Sequence, residues 1–139
     1  MSLKEKLIGT WVLVDYTLDD GRGGRFYPLG KDCSGYLIYT ADGHVSAQQM
    51  KQGRPAYASG DLHDGTPEEM AEAAHGYMAY AGRYEVNEET MTLKHTIEMS
   101  MNPTWLGQTQ ERYIKLDGDE IIITASVNSA ILRWRKFGA

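Results

Sequence analysis

From Met91 to Met99 the chain alternates without a break, with Met91, Leu93, His95, Ile97 and Met99 on one side and Thr92, Lys94, Thr96 and Glu98 on the other. A period of two is that of a β-strand with one apolar and one polar face. His95 is the one titratable residue on the apolar face, so the pattern aims it at whatever the fold encloses. Upstream, Asn87-Glu88-Glu89-Thr90 reads as a hairpin loop from a strand over 80–86. The expected pairs are Val86 with Met91, Tyr84 with Leu93, Gly82 with His95 and Tyr80 with Ile97. In that register the imidazole faces a residue without a side chain, which leaves volume beside it.

The next hairpin turns at Asp117-Gly118, a two-residue signal because both central positions need positive φ. It pairs Ile114 with Ile121 and Arg112 with Ile123, and so places Gln110 and Arg112 on an apolar face. An unpaired guanidinium is costly to bury, by several kcal/mol. Arg112 therefore asks for a carboxylate, a carbonyl array, a wet cavity or an anionic ligand.

A third hairpin surrounds Asp42-Gly43. Facing Ala41 with His44 groups Leu37 and Tyr39 with Ser46, Gln48 and Met50, and groups Ile38 with Val45, Ala47 and Gln49. Periodicity alone does not choose the inner face. The Tyr39 and Ser46 face is preferred, because aromatic and hydroxyl groups suit a site beside His95 and Arg112; the alternative buries Ile38, Val45 and Ala47 and leaves Tyr39 on the surface.

Around these hairpins, a helical turn over 4–7 is expected to plug one end, followed by a strand over 11–17 and a short one over 25–27. The glycines of 19–24 lack the Lys-Ser/Thr and following helix of a phosphate loop. Thr66-Pro67-Glu68-Glu69 predicts a capping box and a helix to Gly76 or Tyr77, with Met70, Ala74, Tyr77 and Met78 as its apolar stripe, lying near an opening. Met101 to Gly107 is too apolar to lie wholly in water, so Trp105 is expected to fold inward. The last strand, 130–137, pairs back through Asn128-Ser129, with Leu132 and Trp134 inside and Arg133 and Arg135 outside.

A length of 139 residues with 42% hydrophobic content supports one domain, 1–139, and one core. A net charge of -5 without a basic run argues against nucleic acid or an anionic membrane as partner. The single Cys33 excludes an internal disulfide, and charged Lys4, Glu5 and Lys6 interrupt any signal peptide or membrane span, so a cytoplasmic location is expected. His44, His63, His75 and His95 show no metal-ligand spacing, and neither Cys33 nor any Gly-x-Ser-x-Gly marks a nucleophile. No metal and no cofactor are expected.

Gly9-Thr10-Trp11, Pro28-Leu29-Gly30, Tyr39-Thr40-Ala41-Asp42-Gly43, Tyr80-Ala81-Gly82-Arg83-Tyr84 and Asn102-Pro103-Thr104-Trp105-Leu106-Gly107 followed by Arg112 recur in order over nearly the whole chain. This series resembles the small bacterial and fungal lipocalin-like domain proteins of the lipocalin superfamily. The resemblance implies an all-β fold, an up-and-down antiparallel β-barrel closed around a cavity. It also implies that an arginine of the last strand, Arg133 or Arg135, covers Trp11, although alternation points both outward. Nothing in the sequence marks an interface stripe, so the oligomeric state is open, and the resemblance suggests a weak homodimer.

The resulting expectation is a barrel that binds a small, largely apolar molecule bearing a carbonyl, enolate or carboxylate. Its most specific form is a cofactor-independent isomerase, cyclase or lyase, with His95 as acid/base and Arg112 as anion anchor. Tyr39, Tyr80, Tyr84, Ser46, Trp105, Met91, Leu93, Ile97 and Ile123 complete the candidate lining, with Ile114 and Ile121 beside them. The alternatives are a non-catalytic binding protein and a purely structural role in which His95 and Arg112 bond Glu98, Gln110 or a buried tyrosine. Residues 51–65, with breakers Gly53, Pro55, Gly60 and Gly65, read as a mobile lid. Amide exchange there should be faster than over 91–99; equal protection would contradict this.

Overall fold

The computed structural model describes residues 1–125 and 129–138. Its elements in chain order are α1 (Leu3–Leu7), β1 (Gly9–Asp19), β2 (Arg25–Phe26), β3 (Ser34–Tyr39), β4 (His44–Met50), α2 (Pro67–His75), β5 (Tyr77–Asn87), β6 (Thr92–Ser100), β7 (Thr109–Asp117), β8 (Glu120–Ala125) and β9 (Ile131–Lys136). A short 3-10 turn, Pro103–Trp105, lies between β6 and β7. Every strand pairs antiparallel with its neighbours in the order β1, β3 to β9, and β9 returns to β1, which closes an 8-strand barrel. β2 pairs only with the far end of β1. Closure leaves no free edge in the barrel wall.

One end is sealed by α1. Ser2 Oγ accepts from the Glu5 N–H at 3.2 Å, starting the turn, and Leu3 and Leu7, four residues apart, are both buried. Trp11 Nε1 donates to the Leu7 carbonyl at 2.9 Å, tying the plug to β1. Over the other face of Trp11 lies Lys136, with Nζ 4.7 Å from the ring centroid and bonded to the Lys6 and Ile8 carbonyls. The cation that covers the tryptophan is thus Lys136, not Arg133 or Arg135. Those two point outward, as alternation requires, and pair with Asp117 and Glu120.

The opposite end is where the excursion between β4 and β5 leaves and returns, with the Lys51 N–H bonded to the Gly76 carbonyl at 2.8 Å. Within it α2 carries the full capping box of Thr66 and Glu69. The helix stops at His75, so Tyr77 and Met78 open β5 instead of extending the helical stripe, and Met70 stays 48% exposed. Among the described residues no helix is long and apolar enough to cross a membrane. Asn128 of the expected final turn, and Ser126 before it, lie outside the described residues.

All three expected registers shift. Val86 pairs with Leu93, Tyr84 with His95 and Gly82 with Ile97, two residues from expectation, because β5 runs through Asn87 to meet Thr92. A shift of two keeps every side chain on its face. Tyr80 then pairs with Ser100 across a bulge in β6, which turns Met99 outward to 65% exposure. The β7–β8 turn is Gly118-Asp119, so Arg112 faces Ala125 and Ile114 faces Ile123. At β3–β4 the loop is of odd length and Tyr39 pairs with Val45, which mixes the two expected faces. Tyr39, Leu37, Val45, Ala47 and Gln49 point inward, and Ser46 points out with Ile38.

Gly82 does not leave room beside His95. A Cβ there would lie 1.8 Å from the Thr96 carbonyl oxygen, so the neighbouring strand's backbone fills the place of a side chain at the bulge. Gly82→Ala should therefore destabilise the barrel by about 2 kcal/mol or more. Urea unfolding checks this, and a midpoint equal to wild type would show that the β5–β6 contact yields.

Candidate functional site

The barrel interior is solid at the α1 end and hollow toward the other. The wall of the hollow reaches Leu18, Met78, Trp105 and Ala130 at the strand ends away from α1. Trp134, Leu37, Ile123, His95, Arg112 and Tyr80 also line it. A largely apolar cleft with a few convergent polar groups is the usual form of a small-molecule site.

His95 is 1% exposed and lies between two phenols, with Nε2 2.9 Å from Tyr39 Oη and Nδ1 3.0 Å from Tyr80 Oη. Burial, reinforced by the nearby Arg112 charge, pushes its pKa down to about 3, so the imidazole is neutral at physiological pH. A neutral ring donates from one nitrogen and accepts at the other. Tyr39 Oη makes no other side-chain or carbonyl contact among the described residues, so its proton finds an acceptor only at Nε2. That places the ring proton on Nδ1, donated to Tyr80 Oη, and leaves the Tyr80 hydroxyl proton for the cavity it lines. Burial raises the pKa of both phenols, with Arg112 opposing the rise, so both keep their protons.

Arg112 comes from β7, beside β6, where His95 pairs with Gln110. It is 6% exposed, and Nη2 donates to Gln110 Oε1, which neighbours Gln108 in turn. Among the described residues no carboxylate lies within 4.0 Å of the guanidinium, unlike Arg133 and Arg135 on the surface. The amide oxygen satisfies part of a five-donor group and none of its charge. Trp105 folds in from the 3-10 turn and meets Tyr80 edge to face at 5.6 Å between centroids.

Of the residues expected in the lining, His95, Arg112, Tyr80, Trp105 and Ile123 line the cavity. Tyr39 and Tyr84 stand behind it, packed edge to face at 4.7 Å, with the Tyr84 hydroxyl bonded to the Thr40 carbonyl at 2.7 Å. Leu93, Ile97, Ile114 and Ile121 are solid core. Met91 sits in the hairpin with φ 54 and only packs against that core, while Ser46 faces away. No residue of 51–65 lines the cavity.

Tyr16, Leu18 and Gln49 are lining residues that escape the sequence reading. Tyr16 and Leu18 enter through a register shift in β1 between Leu13 and Asp15, which moves the inward set from odd to even numbers. The signal was present, since Trp11 and Leu13 give way to Tyr16 and Leu18 across Asp15. Gln49 enters with the corrected face of β4 and is 2% exposed.

A sequence model of the lipocalin-like domain matches residues 8–136. This chain belongs to that family. It is 35% identical over 106 residues, 66% of its own length and 96% of the other's, to the 4'-hydroxy-3'-methoxypropiophenone carrier protein ppsC of Aspergillus oryzae. Among solved structures, an uncharacterized protein from Bacteroides eggerthii resembles it at TM-score 0.49 and 13% identity, covering 94% of this chain and 99% of that one. A Schistosoma mansoni fatty acid binding protein in complex with arachidonic acid does so at TM-score 0.43 and 14% identity, covering 97% and 98%.

The depressed pKa of His95 makes the stability of this lipocalin-like barrel depend on pH. Above about 6.5 the ring is neutral in folded and unfolded chains alike, and it contributes no slope. Below that, the unfolded chain takes up a proton that the folded one refuses until about pH 3. Stability should fall with acidification by up to about 1.4 kcal/mol per pH unit. Urea titrations between pH 6.5 and 4.5, above most carboxylate titration, should lose about one proton's worth of slope in His95→Gln. An unchanged slope would mean that the buried imidazole is not the source.

Proposed function

We propose that this barrel binds one small, largely apolar molecule carrying an oxygen acceptor, and that it holds this oxygen between the Arg112 guanidinium and the Tyr80 hydroxyl. The carrying observation is a guanidinium, buried in the wall of a largely apolar cavity, with an amide but, among the described residues, no carboxylate beside it. A carbonyl, enolate, phenolate or carboxylate oxygen is the complement to such donors, and charge-assisted bonds in a desolvated site are strong. The curated relative named as a carrier of an aryl ketone supports an aromatic ketone as ligand class. Trp105 and Tyr80 at the wall favour the same planar body.

A second reading, that of a cofactor-independent isomerase, cyclase or lyase, is favoured by the Tyr39–His95–Tyr80 chain of hydrogen bonds. In it Tyr80 would protonate an enolate held by Arg112, while the His95 Nδ1 proton passes to the Tyr80 oxygen and Nε2 takes the Tyr39 hydroxyl proton. A pKa of about 3 makes the imidazole itself a weak base, so the proton would arrive through Tyr80.

Isothermal titration with 4'-hydroxypropiophenone separates the parts. Arg112→Met should weaken binding about tenfold or more, and an unchanged affinity would remove the anchor. For the catalytic reading, exchange of the hydrogens next to the carbonyl is followed in D2O. Wild type should accelerate it and His95→Asn should lose about a hundredfold of that acceleration, whereas no acceleration leaves the protein a binder.

A further inference from the structure

Resting on that reading, we propose that Gln49 is a second recognition point in the same cavity, and that the ligand carries a hydrogen-bond donor, an aromatic hydroxyl, at the end opposite its carbonyl oxygen. Gln49 is 2% exposed, lines the cavity, and its Oε1 is shut from solvent without a hydrogen-bond partner among the described residues. Leaving a buried amide oxygen unpaired costs as much as a lost hydrogen bond, so a glutamine kept here asks for a donor from outside the chain. Gly35 pairs with Gln49 across β3 and β4, and a Cβ on Gly35 would meet the Gln48 carbonyl oxygen at 2.4 Å and Gln49 Cγ at 3.3 Å, so the glycine admits the close approach of the β4 backbone with the Gln49 stem beside it.

The two polar groups make opposite demands. Arg112 only donates, so it selects an acceptor. The Gln49 oxygen only accepts, so it selects a donor. Gln49 and Tyr80, the second donor to the ligand oxygen, start from different heights on their strands. Ala47 pairs with Tyr80, and Gln49, two residues further along β4, pairs with Met78 toward the mouth. Two residues of strand span roughly 6.6 Å, about the reach of a benzene ring with polar groups at opposite ends. A simple fatty acid has an acceptor at one end and nothing to donate at the other, so it leaves Gln49 unpaired; a hydroxylated aryl ketone satisfies both.

The test compares 4'-hydroxypropiophenone with 4'-fluoropropiophenone, of nearly the same size but without the donor, by isothermal titration. Wild type should prefer the hydroxyl compound by about tenfold or more. Gln49→Met and Gln49→Leu should each abolish or reverse that preference while still binding the fluoro compound. Their melting temperatures should equal or exceed that of wild type, because an unpartnered amide has been removed; a purely structural glutamine would give lower ones. Equal binding of both compounds by wild type, or a preference that survives in both variants, overturns this inference and leaves the proposed function standing. Failure of wild type to bind either compound overturns both.

Discussion

In a closed barrel an inner-face polar group has no edge and no bulk water to turn to, so it must be answered inside. The interior of this chain is organised by that constraint. Tyr39 and His95 answer each other within the wall, and their exchange commits the ring proton to Tyr80. Arg112 is answered by the Gln110 amide oxygen and the Tyr80 hydroxyl, and the Gln49 oxygen by nothing among the described residues. Tyr39, which is satisfied, lies behind the cavity wall, while Arg112 and Gln49, which are not, line it beside His95. That ordering is what separates a site from a core that happens to contain polar residues.

How much of this could be read in the sequence depended on parity. Where a loop is misjudged by an even count, as at Asn87-Thr92 and Gly118-Asp119, strands slide but every side chain keeps its face, so His95 and Arg112 still enter the interior. Where the count is odd, faces exchange. The Tyr39–Val45 loop is such a case, and it sent Ser46 out and Gln49 in. Bulges act likewise within a strand: the shift after Leu13 brought Tyr16 into the cavity, and the one opposite Ala81 turned Met99 to solvent. Fold class and the two polar anomalies survive such errors because they rest on composition of a face. The detailed lining does not, because it rests on counting.

Partners of the anomalies were less legible than the anomalies themselves. Alternation marks His95 as buried, but Tyr39 and Tyr80 stand 56 and 15 residues away from it in sequence, and only barrel closure brings them together. The cation over Trp11 follows the same logic. Lys136 is on the inner-pointing parity with Leu132 and Trp134, at the strand end where the barrel narrows onto α1, while Arg133 and Arg135 are held outside by that parity. The interaction fixes a cation against the tryptophan ring, and a lysine reaches it with its stem lying along the plug.

Neutrality of His95 has a consequence for any chemistry in the cavity. Were the ring protonated, a second positive charge would stand beside Arg112 in a desolvated space, and both nitrogens would donate, leaving Tyr39 without an acceptor for its hydroxyl proton. Burial and Arg112 together prevent this, so the guanidinium is the fixed charge and the imidazole its neutral neighbour. A ligand oxygen entering there meets one full charge and one polarised hydroxyl. Such a pair stabilises negative charge on oxygen whether or not a proton subsequently moves. Binding of a carbonyl and stabilisation of its enolate are therefore the same geometry at different degrees of charge; turnover would further require a base to take the carbon-bound hydrogen, a part that the protonated Tyr80 hydroxyl does not fill.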